Sequence, residues 1–216
     1  MPESSAPLLE TRALTCVRGR ARLFAGLDLT LGEGELLHVA GANGSGKTSL
    51  LRILCGLSEP ESGELRWRGQ PARSVRDDWR GGMLYLGHRN GVKDDFTPLE
   101  NLHASAAIAG ERIADTVLLE ALVDIGLAAR LDVPARSLSQ GQRRRVALAR
   151  LLADTRSALW ILDEPFTALD VRAVAVLAAA MAAHLRRGGA LIYTTHQPVD
   201  IEAERRQTLN LDDYAC

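Results

Sequence analysis

The sequence predicts an α/β fold, a mainly parallel sheet flanked by helices, with an antiparallel β layer early in the chain and a helical subdomain in its middle. Three observations predict it: short apolar runs alternate with helical apolar spacing, the middle third is mostly helical, and a glycine-rich loop joins a strand to a helix. Strands alternating with helices build a parallel sheet, because each crossover helix covers a sheet face.

Taken in order, Leu27, Leu29 and Leu31 alternate with Asp28 and Thr30 as in a half-buried strand, and Gly32-Glu33-Gly34-Glu35 supplies the turn after it. That pair of signals predicts the antiparallel layer. Residues 36–40 read as a buried strand entering the glycine loop, and residues 48–57 carry helical spacing at Leu50, Leu51, Leu54 and Leu57. Pro60, Gly63, Gly69 and Pro71 mark loops. Residues 83–86 read as a short strand. Helices follow over 98–108 and 113–125, the first opened by Thr97 as cap and Pro98 in its first turn. A helix over 140–152, a strand over 158–162, a helix over 171–187 and a strand over 190–194 complete the chain. One domain spanning 1–216, with a helical subdomain at about 88–150, accounts for the pattern.

A 216-residue chain that is 46% apolar and 25% charged suits one ordinary globular domain rather than a disordered or fibrous one. A formal net charge of -1 provides no long-range basic field, so nucleic acid is not expected as a partner. Cys16, Cys55 and Cys216 are odd in number, far apart and without a C-x-x-C pair, which fits a reducing compartment. Residues 1–15 lack the basic region and apolar core of a secretory signal. The longest apolar run, residues 173–183, is 11 residues, well below the roughly 20 that a spanning helix needs.

Gly41-Ala42-Asn43-Gly44-Ser45-Gly46-Lys47-Thr48, followed by Ser49, fits G-x-x-x-x-G-K-[ST]. Its glycines let successive backbone N–H groups face phosphates, and the following helix adds its positive amino-terminal end. Lys47 supplies a cation for the β and γ phosphates, and the Thr48 hydroxyl a ligand for Mg²⁺. Binding of a nucleoside triphosphate is therefore predicted, with ATP and Mg²⁺ as the expected cofactors, and the loop alone does not choose among kinases, GTPases, helicases and transport ATPases. The N-K-x-D motif expected of a GTPase is absent from the sequence.

Trp160-Ile161-Leu162-Asp163-Glu164-Pro165 ends an apolar strand in two carboxylates, at the sheet edge where parallel sheets bind ligands. Asp163 is the candidate metal-side carboxylate, and Glu164 the candidate general base for the attacking water. By themselves these residues equally fit a strand ending in two solvated acids.

Leu138-Ser139-Gln140-Gly141-Gln142 stands just before the 143–152 helix and some twenty residues ahead of those acids. It resembles the signature motif of the ABC ATPase family. In that family the motif contacts the γ-phosphate held by the other protomer, so the resemblance implies that Ser139, Gln140, Gly141 and Gln142 act in trans within an ATP-dependent head-to-tail dimer of two copies. Ala168-Leu169-Asp170 resembles the family's D-loop at the dimer interface, and His196 resembles its switch histidine, a hydrogen-bond donor to the γ-phosphate. Arg143, Arg144, Arg145 and Arg150 fan around one helix and are expected to form a solvated face without a catalytic role. His38, His103 and His184 are expected to be structural.

Two positions depart from the general pattern. Where most members stack an aromatic residue on adenine, this chain aligns Arg18, with Phe24 as a displaced alternative. Where they carry the Q-loop glutamine, Tyr85-Leu86-Gly87-His88-Arg89 offers His88 or Arg89. That second departure, with Gly91-Val92-Lys93, Leu99-Glu100-Asn101-Leu102-His103, residues 160–170 and Thr194-Thr195-His196-Gln197-Pro198, resembles the cytochrome c maturation ATPases of the CcmA type. The resemblance implies a subunit on the cytoplasmic face of the bacterial inner membrane, working with the membrane subunits CcmB, CcmC and CcmD and indirectly with the haem chaperone CcmE. It implies hydrolysis coupled to haem export or to release of haem-loaded chaperone. Rival readings are the ATPase of another ABC exporter, a soluble ABC ATPase, which usually carries two cassettes or a long coiled-coil insertion, and a small-molecule kinase, which would leave residues 138–142 unexplained.

Overall fold

The computed structural model describes residues 6–215, so Cys216 and the first five residues lie outside the described part. In chain order the elements are β1 (Leu9–Arg18), β2 (Ala21–Leu31), β3 (Glu35–Ala40), α1 (Lys47–Leu54), β4 (Ser62–Trp67), β5 (Gln70–Pro71), α2 (Arg76–Gly81) and β6 (Met83–Leu86). They continue with α3 (Pro98–Ile108), α4 (Asp115–Asp124), α5 (Gln140–Ala153), β7 (Leu159–Leu162), α6 (Val171–Arg186), β8 (Ala190–Tyr193) and β9 (Arg205–Asn210). A short 3₁₀ turn, Leu211–Tyr214, follows.

Strands β2-β1-β4-β5 form an antiparallel sheet, and β6-β7-β8-β3-β9 form a second sheet whose pairings are all parallel. The parallel sheet is covered on both faces, which is why β7 and β8 are buried at every position. Side chains alternate between the two sides. Leu37, Val39, Leu159, Ile161, Ala190 and Ile192 meet α1 and the antiparallel sheet, while Leu36, Trp160, Leu162, Leu191 and Tyr193 meet α5 and α6. A third apolar cluster, with Leu102, Leu118, Leu122 and Val146, joins α3, α4 and α5.

The region read as loops around Gly63, Gly69 and Pro71 instead contains β4 and β5. Gly63 lies within β4 at φ 95°, where a Cβ would sit 2.5 Å from the Ala13 carbonyl oxygen. Glycine there permits a close strand crossing rather than a turn. Helix α1 stops at Leu54, short of the expected Leu57, because Gly56 turns left-handed and packs against the Trp79 ring. Helix α3 has the expected start. The Thr97 hydroxyl accepts from the Glu100 N–H, and Glu100 accepts from the Thr97 N–H at 2.7 Å.

The arginines of α5 do not form a solvated face. Arg144 is buried, Arg143 pairs with Asp94 at 3.0 Å, and Arg145 pairs with Asp170 at 2.6 Å. The reason is that α5 lies between two apolar clusters, Leu148 and Leu151 packing into one and Val146 and Ala149 into the other. Three adjacent residues therefore point into protein in three directions. Among the described residues no helix is long and apolar enough to cross a membrane.

His184 is fully buried, stacked on Trp160 with centroids 4.1 Å apart, its Nε2 3.0 Å from the Ala190 carbonyl. Trp160 in turn donates its indole N–H to Asp154 at 2.6 Å. Burial pushes the imidazole from its ordinary 6.5 down to about 4. Between these values the unfolded chain takes up a proton that the native ring does not, so stability is full above pH 6.5 and falls as pH drops toward 4. The loss is on the order of 3 kcal/mol. Urea unfolding across this range should show a shallower pH dependence in His184→Gln than in the wild type; equal slopes would remove His184 from the acid response.

Candidate functional site

The loops after β3, β6, β7 and β8 leave the carboxyl edge of the parallel sheet, where the order β6-β7-β8-β3 places their parent strands side by side. The segment from Gly41 to Gly46 runs from β3 into α1, whose first residue is Lys47. Gly41, Gly44 and Gly46 all have positive φ. At Gly46 the value is 104°, and a Cβ would press within 3.1 Å of Leu23, so the residue that opens the helix needs glycine on both counts. Ala42, Asn43 and Gly44 are exposed at the tip, and Ser45 and Ser49 are half-buried. The Lys47 ammonium donates to the carbonyls of Gly41 at 2.7 Å and Ala42 at 2.9 Å, bending the loop around one cation.

The Asp163 carboxylate joins three elements. Its Oδ2 accepts from the Thr48 hydroxyl at 2.8 Å, and its Oδ1 accepts from the Thr194 hydroxyl at 2.9 Å. Thr194 Oγ1 also accepts from the Glu164 backbone N–H at 2.9 Å, so one hydroxyl just beyond β8 fixes both acids. Glu164 itself has φ 49°, a left-handed conformation that a side chain seldom adopts without being held there. Its Oε1 is buried without a hydrogen bond, 3.4 Å from His196 Nε2. The imidazole is mostly exposed and faces the acid from the loop after β8.

Thr48 and Asp163 offer a hydroxyl and a carboxylate in direct contact, an all-oxygen pair of the kind hard divalent cations take. Among the described residues there is no group of three or more His, Cys, Asp or Glu that could hold a metal. The donor set thus fits Mg²⁺ bound by one or two protein oxygens, with phosphate and water completing the shell.

The signature residues stand apart from this cluster at the start of α5. Ser139 caps the helix, accepting from the Gln142 N–H at 3.2 Å, while Gln142 Oε1 accepts from the Ser139 N–H at 3.0 Å. Gln140 is exposed. A Cβ on Gly141 would lie 2.9 Å from the Ala168 carbonyl, so the signature helix and the loop before Asp170 touch within one chain. Asp170 caps α6 and accepts from the Ala173 N–H at 2.9 Å.

Of the two alternatives for the base, Phe24 is fully buried in the core and cannot face a ligand. Arg18 is exposed at the end of β1 and donates to Ser58 Oγ at 2.9 Å. His88 and Arg89 are both exposed in the loop after β6. Neither buried cysteine suits redox or ligand chemistry, since burial holds the Cys55 thiol up at about 11.

Sequence reasoning missed three residues here. In the sequence Thr194 stands as a strand end and as the first residue of Thr194-Thr195-His196-Gln197-Pro198, with no signal for its hydroxyl, and Arg144 stands as one charge among several. Asp212, from the 3₁₀ turn, accepts from the Ala42 N–H through both oxygens, at 3.1 and 3.0 Å. A separation of 170 residues leaves no local signal for it.

Because Thr194 is fully buried, Thr194→Val keeps the volume but leaves the Glu164 N–H and one Asp163 oxygen unpaired. A loss of about 1–3 kcal/mol is expected in urea unfolding. A change below the error of the measurement would show that this hydroxyl does not hold the turn.

A protein-family model described as ABC transporter matches residues 24–167. The chain is 53% identical over 204 residues to the cytochrome c biogenesis ATP-binding export protein CcmA of Dechloromonas aromatica, covering 94% of this chain and 100% of that protein. It is 49% identical over 205 residues to the CcmA of Escherichia coli strain K12, covering 94% and 96%. A solved dimeric ATP-binding cassette in a post-hydrolysis state, bound to ADP and Pi, shares the fold with a TM-score of 0.79 at 22% identity, covering 94% of each chain. Matched at about half identity over nearly its whole length, the chain belongs to the ABC transporter family and, within it, to the CcmA cytochrome c biogenesis ATP-binding export proteins.

Proposed function

We propose that this chain is the ATP-hydrolysing subunit of a membrane ABC complex for cytochrome c biogenesis, acting as a head-to-tail dimer with two composite sites. The observation that carries the chemistry is the Thr48–Asp163–Thr194 chain with Glu164 held beside it. Gly41 to Ser49 bind the phosphates, Lys47 neutralises them, and the exposed Arg18 meets the base. Thr48 and Asp163 would hold Mg²⁺, which supplies charge neutralisation on the phosphates when bound. Glu164 orients and deprotonates the attacking water, and His196, within ion-pair distance of that carboxylate, donates toward the γ-phosphate.

In this reading each chain contributes two different halves, the phosphate loop after β3 and the exposed cap of α5. A second copy therefore supplies Ser139, Gln140, Gly141 and Gln142 to the nucleotide held by the first, using the donor-rich end of its helix. The chain is one nucleotide-binding domain with its helical subdomain at about 88–150, which together with the His88 loop faces the membrane partners. Those partners are CcmB, CcmC and CcmD, with CcmE served indirectly, at the cytoplasmic face of the bacterial inner membrane. Hydrolysis drives haem export or the release of haem-loaded chaperone, consistent with the export function in the relatives' names.

Glu164→Gln should lower ATP hydrolysis by about 10² to 10⁴ while nucleotide binding persists. In a host lacking the chain, the wild-type copy should restore haem staining of c-type cytochromes and the Glu164→Gln copy should not. Full turnover in the variant would remove Glu164 as the base. Normal staining in the deletion strain, with no second copy of the system present, would sink the cytochrome assignment alone.

A further inference from the structure

Arg144 is 5% exposed, yet it has no carboxylate partner at hydrogen-bond distance. Its Nη1 donates to the Gly87 carbonyl at 3.0 Å and to Asn90 Oδ1 at 3.2 Å, both in the loop after β6. Its Nη2 donates to the carbonyls of Asp163 at 3.1 Å and Glu164 at 2.9 Å. Its Nε is buried without a partner. A buried cation spread over four neutral oxygens is costly to place, and desolvation lowers its pKa against the opposing pull of Asp163 and Glu164. An apolar residue would fill this helix position at less cost, so the fork is there for what it holds.

What it holds is the peptide segment that carries the base. Glu164 is kept left-handed by two clamps, the Thr194 hydroxyl on its N–H and the Arg144 guanidinium on its carbonyl. The same guanidinium grips the loop containing His88, and it stands five residues after Ser139, whose helix end is exposed. A planar fork of donors can bridge two loops in this way, whereas a single ammonium cannot span both.

We propose that Arg144 is a positioning residue for hydrolysis, tying the His88 loop and the signature helix to the backbone of Glu164 so that the carboxylate faces the attacking water. The inference rests on Glu164 as general base. Arg144 touches neither Lys47 nor Thr48, so its loss leaves nucleotide binding in place and releases the turn. A displacement of about 1 Å at a reacting group costs up to about 10²-fold in rate.

The test uses the full-length chain, with ATP turnover and thermal unfolding measured for Arg144→Met, Arg144→Lys and Glu164→Gln, and for Arg144→Met combined with Glu164→Gln. Arg144→Met should lower kcat by about 10- to 100-fold with KM for ATP changed less than about threefold. Arg144→Lys should recover part of the rate, and the double variant should be no slower than Glu164→Gln, because both act through one carboxylate. A folded Arg144→Met with kcat within about twofold of wild type, or additive losses in the double variant, would overturn the inference. If Arg144→Met does not fold, Arg144→Lys decides: unchanged kcat overturns it, and lowered kcat at unchanged KM supports it. An active Glu164→Gln would show instead that the reading of the base is at fault.

Discussion

The carboxylate of Asp163 sits where three chain segments converge, and the arrangement of the molecule follows from keeping it there. One oxygen meets the hydroxyl at the start of α1, the other meets the hydroxyl after β8, and its own strand β7 is buried throughout. This requires β7 and β8 to be neighbours, with β3 on the far side of β8, which is the strand order observed. A slip of one residue in β7 would turn Trp160 and Leu162 toward the wrong face and carry Asp163 away from both hydroxyls. The apolar alternation that packs the sheet therefore also sets the register of the site.

The molecule separates two kinds of rigidity. The phosphate loop is shaped by glycine backbone angles and tied at Ala42 by Asp212, a contact from the far end of the described chain. The signature cap is held by a local box between Ser139 and Gln142 and by the contact of Gly141 with Ala168. Between these parts runs α5, with Arg145 bonded to Asp170 and Arg144 to the turn at Asp163 and Glu164. The helix that opens at the Ser139 cap is thus bonded both to the residue that caps α6 and to the turn that carries the two acids.

Much of this was legible in the sequence because the chemistry is local. A phosphate loop needs glycines at fixed offsets, and a helix start such as Thr97-Pro98-x-Glu100 declares itself within four residues. The missed strands lack such signals. β1 is interrupted by register shifts that break its alternation, β4 contains a glycine, and β9 is an edge strand with nearly every side chain exposed, so no apolar pattern marks it. Arg144 was misread for a different reason. Its neighbours in sequence suggest a charged surface, while its acceptors at positions 87 and 90 lie 57 and 54 residues away. Long-range pairing of this kind is set by packing and leaves little trace in composition.

In the proposed dimer one chain carries two complementary half-sites that are completed only by a second copy. Lys47→Ala removes the phosphate-loop cation and Ser139→Ala removes the signature hydroxyl, so each variant alone has two damaged sites. Mixing the two variants should regenerate one intact composite site in each mixed dimer. The decisive measurement is ATP turnover of the mixture against each parent. Turnover of the mixture should exceed that of both parents, while a mixed dimer, demonstrated to form, with turnover no higher than either parent would contradict independent sites completed in trans.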